Sequence, residues 1–491
     1  MLRLLLGLAL GSQVLPARAA SPRKPRHDSA VHDAVVRVFT VFRKPDFYQP
    51  WQMGPQDSMA GSGCLIAGGR ILTNAHVVSD QVFVQVRRAG QAARYTARVE
   101  FVAHDSELAI LKVDDPEFHA GSEPLELGEL PQQRDSVDVY GFPDGGDDLS
   151  VTKGIVSRIE VTPYAHSDRE LLTIQTDAAV NPGNSGGPMV QDGKLVGITF
   201  QMNAESENVG YAVPEPVIRR FLADVADGRY DGVPDLGIHW QALENRALRD
   251  WLGLKPGAAG VRVSTTVFGG AAYGVLEPGD VVASIDGVKV SGDGTVPFRR
   301  NERVLFSHLL FLHQAGEKAR LGVVRRGREL PLDVALRPAP SLVPGPTYGA
   351  RPRYFIYAGL VFTPLTRNYV DNWEWNEVPI SFKSYLEFGL PAPERRELVV
   401  LAHVLPHALN TGYHDLRGVI VDRVNGRAIG ALEDLPAAFA RPEGRYHVIE
   451  TDPLTDFAGR IVLDAAQADK DSAGVLAAFG VPADRFFASA P

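Results

Sequence analysis

The segment Asn181-Pro182-Gly183-Asn184-Ser185-Gly186-Gly187-Pro188 sets one serine inside a run of glycines. A serine hydroxyl is a weak nucleophile at neutral pH and needs an aligned base and a preformed anion site. Glycines around it let the backbone turn so that successive amides point to one spot. The amides of Gly183 and Ser185 are therefore candidates for holding a developing oxyanion. A glycine turn that merely contains serine is the plainer alternative, and a second segment weighs against it. Thr73-Asn74-Ala75-His76-Val77-Val78 delivers a histidine just past the apolar run Ile71-Leu72. A lone histidine is usually structural, but here base, acid and serine follow in the order His, acid, Ser, one of the known orders of a catalytic triad. His76 is the candidate base and Ser185 the candidate nucleophile of an acyl transfer.

The acid lies in His104-Asp105-Ser106-Glu107-Leu108-Ala109-Ile110-Leu111, just before an apolar strand. Either Asp105 or Glu107 can accept the Nδ1 proton of His76 and stabilise the imidazolium. The two stand two positions apart, so on an extended chain they share a face and compete for one role.

The elements that must position these groups read as short strands. From about 30 to 228, β-branched and aromatic runs such as 35–42, 82–86 and 195–200 alternate with Gly and Asp turns, the pattern of a sandwich or barrel pair. Within this stretch, helical periodicity is convincing only after Pro214, where Val217, Ile218, Phe221 and Leu222 share one face. Asp227 to Gly232 reads as a linker and Pro338 to Pro352 as a second one. Between them, a module over 234–340 carries Asp286-Gly287 as a hairpin turn between strands. A module over 354–485 repeats that grammar at Asn425-Gly426.

The 491 residues exceed what one core usually organises, in keeping with several domains. Net charge is -9, with no long basic run, so no nucleic-acid partner is expected. The 13 histidines are scattered, with no HExxH helix and no CxxC pair, so neither a metal nor another cofactor is expected. Cys64, the only cysteine, lies in an apolar run and reads as a small buried hydrophobe. At the N-terminus, Arg3, the apolar run Leu4 to Leu10 and Ala17-Arg18-Ala19 read as a signal peptide over residues 1–20, which predicts export. No later segment reaches the roughly eighteen uninterrupted apolar residues of a membrane span, so none is expected in the mature chain.

At Thr73–Val78 and Gly183–Pro188 the sequence closely resembles the HtrA/Deg family of serine proteases. The resemblance covers nearly the whole mature chain, including Val209-Gly210-Tyr211-Ala212-Val213-Pro214, which is similar to the family's last barrel strand. It implies a mainly β chain: a chymotrypsin-like double β-barrel followed by two PDZ-like α+β domains. Gly237-Ile238-His239-Trp240, residues 293–299 and residues 354–362 place it nearest the branch with two dissimilar PDZ modules. The implied activity is ATP-independent serine endopeptidase action on unfolded or damaged polypeptides in protein quality control. The implied setting is a homo-oligomer, a trimer or a multiple of it, in a bacterial periplasm.

The resemblance also implies roles for residues. The family's acid stands directly before an Ile/Leu-Ala-hydrophobic run, which here selects Glu107 over Asp105 and departs from the family's aspartate. Ile198, Thr199, Phe200 and Gln201 are expected to wall the primary pocket, which then holds no acid and favours small or medium apolar side chains. Leu236, Gly237 and Ile238 resemble a loop that captures C-terminal peptides in the first PDZ module. In the second module, Ala358-Gly359-Leu360-Val361 takes the equivalent place, but the insertion after it argues against free peptide binding. Asn184 has no charge to pair with a new N-terminal amine, so regulation is expected from loop ordering rather than cleavage. A catalytically weak chaperone or PDZ scaffold that keeps the protease fold is the alternative.

Overall fold

The computed structural model describes residues 26–487, apart from 122, 144–145, 203–208, 256–258, 456 and 458. The side chains of 26–28 and 201–202 are also outside that description, as is the expected export segment 1–20. Strands β1 (Val35–Phe42), β2 (Asp57–Ile66), β3 (Arg70–Thr73), β4 (Gln81–Arg88), β5 (Tyr95–Ala103) and β6 (Leu108–Lys112) close a barrel in the order β1-β2-β3-β6-β5-β4. A second barrel is built from β7 (Ser136–Gly141), β8 (Ser150–Pro163), β9 (Glu170–Thr176), β10 (Pro188–Gln191), β11 (Lys194–Met202) and β12 (Gly210–Pro214). Its order is β10-β11-β12-β9-β8-β7. Period-two alternation explains the inward faces: in β1, Val36, Val38 and Thr40 are buried while Arg37 and Phe39 turn outward.

β12 runs straight into the helix Glu215–Asp224, with Pro214 extended at its cap and Pro216 in the first turn. Val217, Ile218 and Phe221 bury one face of that helix. A helix over Arg26–Ala34 was not foreseen, because only Val31 and Ala34 anchor it in the core and two positions make no periodic stripe. Arg220 is buried in the longer helix, paired with Asp224 at 3.4 Å, and donates to the carbonyls of Gly232 and His313. It thereby ties the barrels to the module that follows. Replacing Arg220 with leucine leaves Asp224 buried without its cation, so we expect a loss of roughly 3 kcal/mol, measured by denaturant unfolding.

The first C-terminal module is a sheet in the order Ile238–Ala242, Val261–Thr266, Val281–Ile285, Lys318–Arg325, Arg328–Ala335. Ile238–Ala242 lies at its edge. Asp286 and Gly287, at φ 49° and 81°, make the expected tight turn, and Asn425 and Gly426 repeat it at 50° and 71° in the second module. That module's sheet contains, as consecutive neighbours, Val419–Val424, Val399–Val404, Leu360–Pro364 and Tyr354–Tyr357. Leu360–Pro364 is thus paired on both sides, and no free edge remains there for an added peptide strand.

Both linker segments are tied down. Tyr230 and the Val233 amide donate to the Asp105 carboxylate. Leu342 and Val343 are buried against the second module. The loop between β1 and β2 also reaches that module, where Tyr48 stacks on His403 with ring centres 4.5 Å apart. Among the described residues, no helix is long and apolar enough to cross a membrane.

Candidate active site

His76 opens a short 3₁₀ turn just after β3, and the turn's Val77 and Val78 are buried in the first barrel. Glu107 sits in the turn just before β6 and is fully buried. One carboxylate oxygen, Oε1, lies 2.5 Å from His76 Nδ1 and also accepts the His76 backbone N–H at 3.2 Å. Asn74 donates to the Glu107 carbonyl at 2.9 Å, which fixes the acid's backbone from the base's own loop. Burial by itself pushes the Glu107 carboxyl up, but the charge and hydrogen bonds of His76, together with His166, hold it below the usual range. Because the folded value lies below the unfolded one, this pair stabilises the fold fully above the ordinary carboxylate range. That contribution is lost as pH falls through the lowered value.

Asp105 does not compete for His76. Residues 104–107 form a turn rather than an extended strand, and Glu107 adopts φ 61°. The expected shared face is therefore broken: Glu107 turns in to His76, while Asp105 turns out to Tyr230 and Val233.

The serine loop comes from the other barrel. Asn184, Gly186 and Gly187 use their amides inside the turn, donating to Asn181, Thr199 and Asn184 carbonyls. The amides of Gly183 and Ser185 find no acceptor among the described residues. Those two donors are the pair an oxyanion needs. The Ser185 hydroxyl donates to the Phe200 carbonyl at 3.5 Å, a long and weak contact.

Ser62 joins the halves. It is wholly buried, donates its hydroxyl to the Gly183 carbonyl at 2.8 Å and accepts from the Phe142 amide, while its own amide donates to the Ser185 carbonyl. Thr73 in turn donates to the Ser62 carbonyl at 2.7 Å. Asn74 and Thr73 stand inside the recognised histidine segment, and Ser62 in Gly61-Ser62-Gly63, but their roles depend on inter-barrel contacts that a linear pattern does not display. Asn184 is buried, and its Oδ1 makes no hydrogen bond among the described residues.

Of the four residues expected to wall the pocket, Ile198 is buried in the barrel core. Thr199 is buried and uses its hydroxyl on the carbonyls of Asn184 and Gly187. Thr199, which also accepts the Gly186 amide, supports the serine loop. Phe200 meets Ser185 through its carbonyl and packs its ring on Tyr164 at 4.7 Å, and the side chain of Gln201 is outside the described set. In the first C-terminal module, Leu236 is buried and Ile238 opens the edge strand. Gly237, at φ 67°, donates its amide to the Asp235 carboxylate at 2.8 Å. The second module's equivalent turn is closed by Asn410, whose amide donates to the carbonyls of Ala358 and Leu405. Cys64 is fully buried, and burial pushes its thiol up, so it is no rival nucleophile.

Comparison with known proteins agrees with this architecture. The family profile of trypsin-like peptidase domains matches residues 61–198, and that of PDZ domains matches residues 343–486. Protease Do-like 4, mitochondrial, of Arabidopsis thaliana is 41% identical over 421 residues, covering 86% of this chain and 79% of the relative. Protease Do-like 2, chloroplastic, of the same plant is 39% identical over 463 residues, covering 94% and 76%. Among solved structures, HtrA-type protease AlgW with tripeptide is 28% identical, with 65% of this chain and 99% of that chain covered at a TM-score of 0.50. With a trypsin-like double barrel, PDZ modules and relatives of this identity and coverage, the chain belongs to the HtrA/Deg family of serine endopeptidases.

Proposed function

We propose that Ser185 is the nucleophile, His76 its general base and Glu107 the acid that orients the base, in a peptidase acting on unfolded polypeptides. The observation that carries this reading is one buried oxygen of Glu107, Oε1, which meets both the ring and the backbone N–H of His76. That bond holds the tautomer with the proton on Nδ1, leaving Nε2 free to take the Ser185 proton as the hydroxyl attacks a substrate carbonyl. The negative charge that develops on that carbonyl falls to the amides of Gly183 and Ser185, each such donor being worth about 2.7–4 kcal/mol in the transition state. His76 then returns the proton to the leaving amine, and water repeats the sequence on the acyl-enzyme.

Specificity, peptide capture and assembly follow from the same reading. A pocket beside Phe200 that carries no acid favours small or medium apolar side chains. The open edge of Ile238–Ala242, beside Leu236 and Gly237, suits an incoming C-terminal peptide, whose carboxylate competes with Asp235 for the Gly237 amide. Domain limits at 30–228, 234–340 and 354–485 suit a protease unit with two PDZ modules, assembled as a homo-oligomer, a trimer or a multiple of it. The relatives named above are mitochondrial or chloroplastic, which points to a place beyond the cytosol, exported or organellar. The signal-peptide pattern of residues 1–20 favours export, and the resemblance to bacterial members of the family favours a periplasm.

The test is degradation of a reduced, unstructured polypeptide by the purified protein. Ser185→Ala should abolish cleavage, a loss of about a millionfold when a triad nucleophile is removed. Equal behaviour of wild type and Ser185→Ala would instead support the scaffold reading.

A further inference from the structure

The second oxygen of Glu107 poses a problem that the triad alone leaves open. Oε2 is buried and makes no hydrogen bond among the described residues. An ionised oxygen left without a donor in such a place is costly. A candidate donor is His166 Nδ1, 3.8 Å away, on the turn between β8 and β9. His166 is held on its other sides. Its Nε2 lies 2.9 Å from His104 Nδ1, and its ring stacks on Tyr348 with centres 4.3 Å apart and planes 19° apart. Tyr348 also stacks on His104 at 4.4 Å and donates its hydroxyl to the His166 carbonyl at 3.1 Å. Tyr348 belongs to the segment joining the two PDZ modules.

We propose that His166 is a positioning residue for the catalytic acid: its Nδ1–H donates to Glu107 Oε2, with His104 and Tyr348 holding the ring on line. With both imidazoles neutral, only one proton arrangement suits the geometry. If His166 Nε2 donated to His104, a bare Nδ1 lone pair would face the carboxylate. With His104 Nδ1–H donating to His166 Nε2, the His166 proton sits on Nδ1 and faces Oε2. Burial favours neutral rings for this arrangement, pushing His104 down to about 4 and lowering His166 as well. A movement of about 1 Å brings Nδ1 within hydrogen-bond range, as catalytic contacts tighten when substrate orders a site. The groups facing His166 are Glu107 and His104 from the turn before β6, His76 from the end of β3, and Tyr348. Asp168, on the same turn as His166, is exposed and faces Arg367 at 3.8 Å.

The proposal rests on Glu107 being the triad acid, and the variants separate the two claims. If Glu107→Gln retains activity, the triad reading fails. If Glu107→Gln is inactive, His166 is judged on its own variants in the full-length protein. His166→Phe keeps the ring stack but has no donor, so kcat should fall about ten- to a hundredfold, the scale of partners that orient a functional histidine or carboxylate. The acidic limb of kcat/KM should move to higher pH, because a carboxylate without the second donor grips the protonated base more tightly. His166→Asn places an amide N–H where Nδ1 stood and should recover most of both. Tyr348→Ala, at a half-buried position outside the barrels, should move the same limb in the same direction and serves if His166→Phe does not fold. Unchanged kcat and pH profile in His166→Phe, or in Tyr348→Ala where that must stand in, overturn the proposal. So does an Asn variant no better than Phe at equal melting temperature, since that marks His166 as packing alone.

Discussion

Replacing Glu107 with glutamine should lower kcat by about four orders of magnitude while leaving the fold in place, the scale seen when a triad carboxylate becomes an amide. The amide keeps the size and burial of the side chain. It cannot accept both His76 donors with the strength of a carboxylate, and it offers an N–H that favours the wrong imidazole tautomer. The imidazolium formed during attack then loses its counter-charge inside a buried site. Asp105→Asn is the matched control. Its carboxylate serves Tyr230 and Val233, so it should weaken the junction with the first PDZ module but keep kcat within about tenfold, since the lost charge touches no triad group. Steady-state kinetics on one peptide substrate, with melting curves for each variant, separates the two. Equal losses in both would contradict the assignment of the acid.

The second large effect is expected at Gly186. A methyl group there would lie 2.0 Å from the Ser62 carbonyl oxygen and 2.3 Å from Thr73 Oγ1, on a backbone at φ 86° that side chains rarely adopt. Neither neighbour is free to retreat, because Thr73 bonds that same carbonyl and the Ser62 amide holds the Ser185 carbonyl. Gly186→Ala must therefore push the serine loop away from β2 and carry the Gly183 and Ser185 amides with it. We expect a hundred- to thousandfold loss in kcat, about that of removing one oxyanion donor. A lowered melting temperature should accompany it, from roughly 1–3 kcal/mol of backbone strain plus the clash. Gly228→Ala, also at positive φ but with open space around the added methyl, should show only the strain.

These two sites show what was legible in the sequence. The glycine-rich serine loop and the histidine segment are local patterns whose chemistry follows from residue type and spacing. The turn chemistry of Asp286-Gly287 and Asn425-Gly426 was likewise visible, because it depends only on adjacent residues. The β-branched and aromatic runs between Gly and Asp turns identified barrel strands for the same reason. The divergence of Asp105 and Glu107 was hidden, since it follows from a turn that the neighbouring apolar strand made look extended. The supporting role of Thr199 was hidden too, because it depends on which loop packs against β11. His166 carried no signal at all: it comes within 3.8 Å of Glu107 only after the two barrels have folded together, and Tyr348 meets it from the segment between the two modules. The blocked edge of Leu360–Pro364 is a matter of long-range strand pairing, which local propensity does not specify.

In the proposed mechanism Ser185 is a nucleophile activated by the Glu107–His76 pair across the barrel interface. The most direct measurement is covalent labelling with a fluorophosphonate, followed by peptide mass mapping. One adduct should form, on Ser185, and its rate should fall by orders of magnitude in His76→Ala and Glu107→Gln proteins that remain folded. Failure of the folded protein to label, an adduct on another residue, or a labelling rate unchanged in those variants would contradict the account.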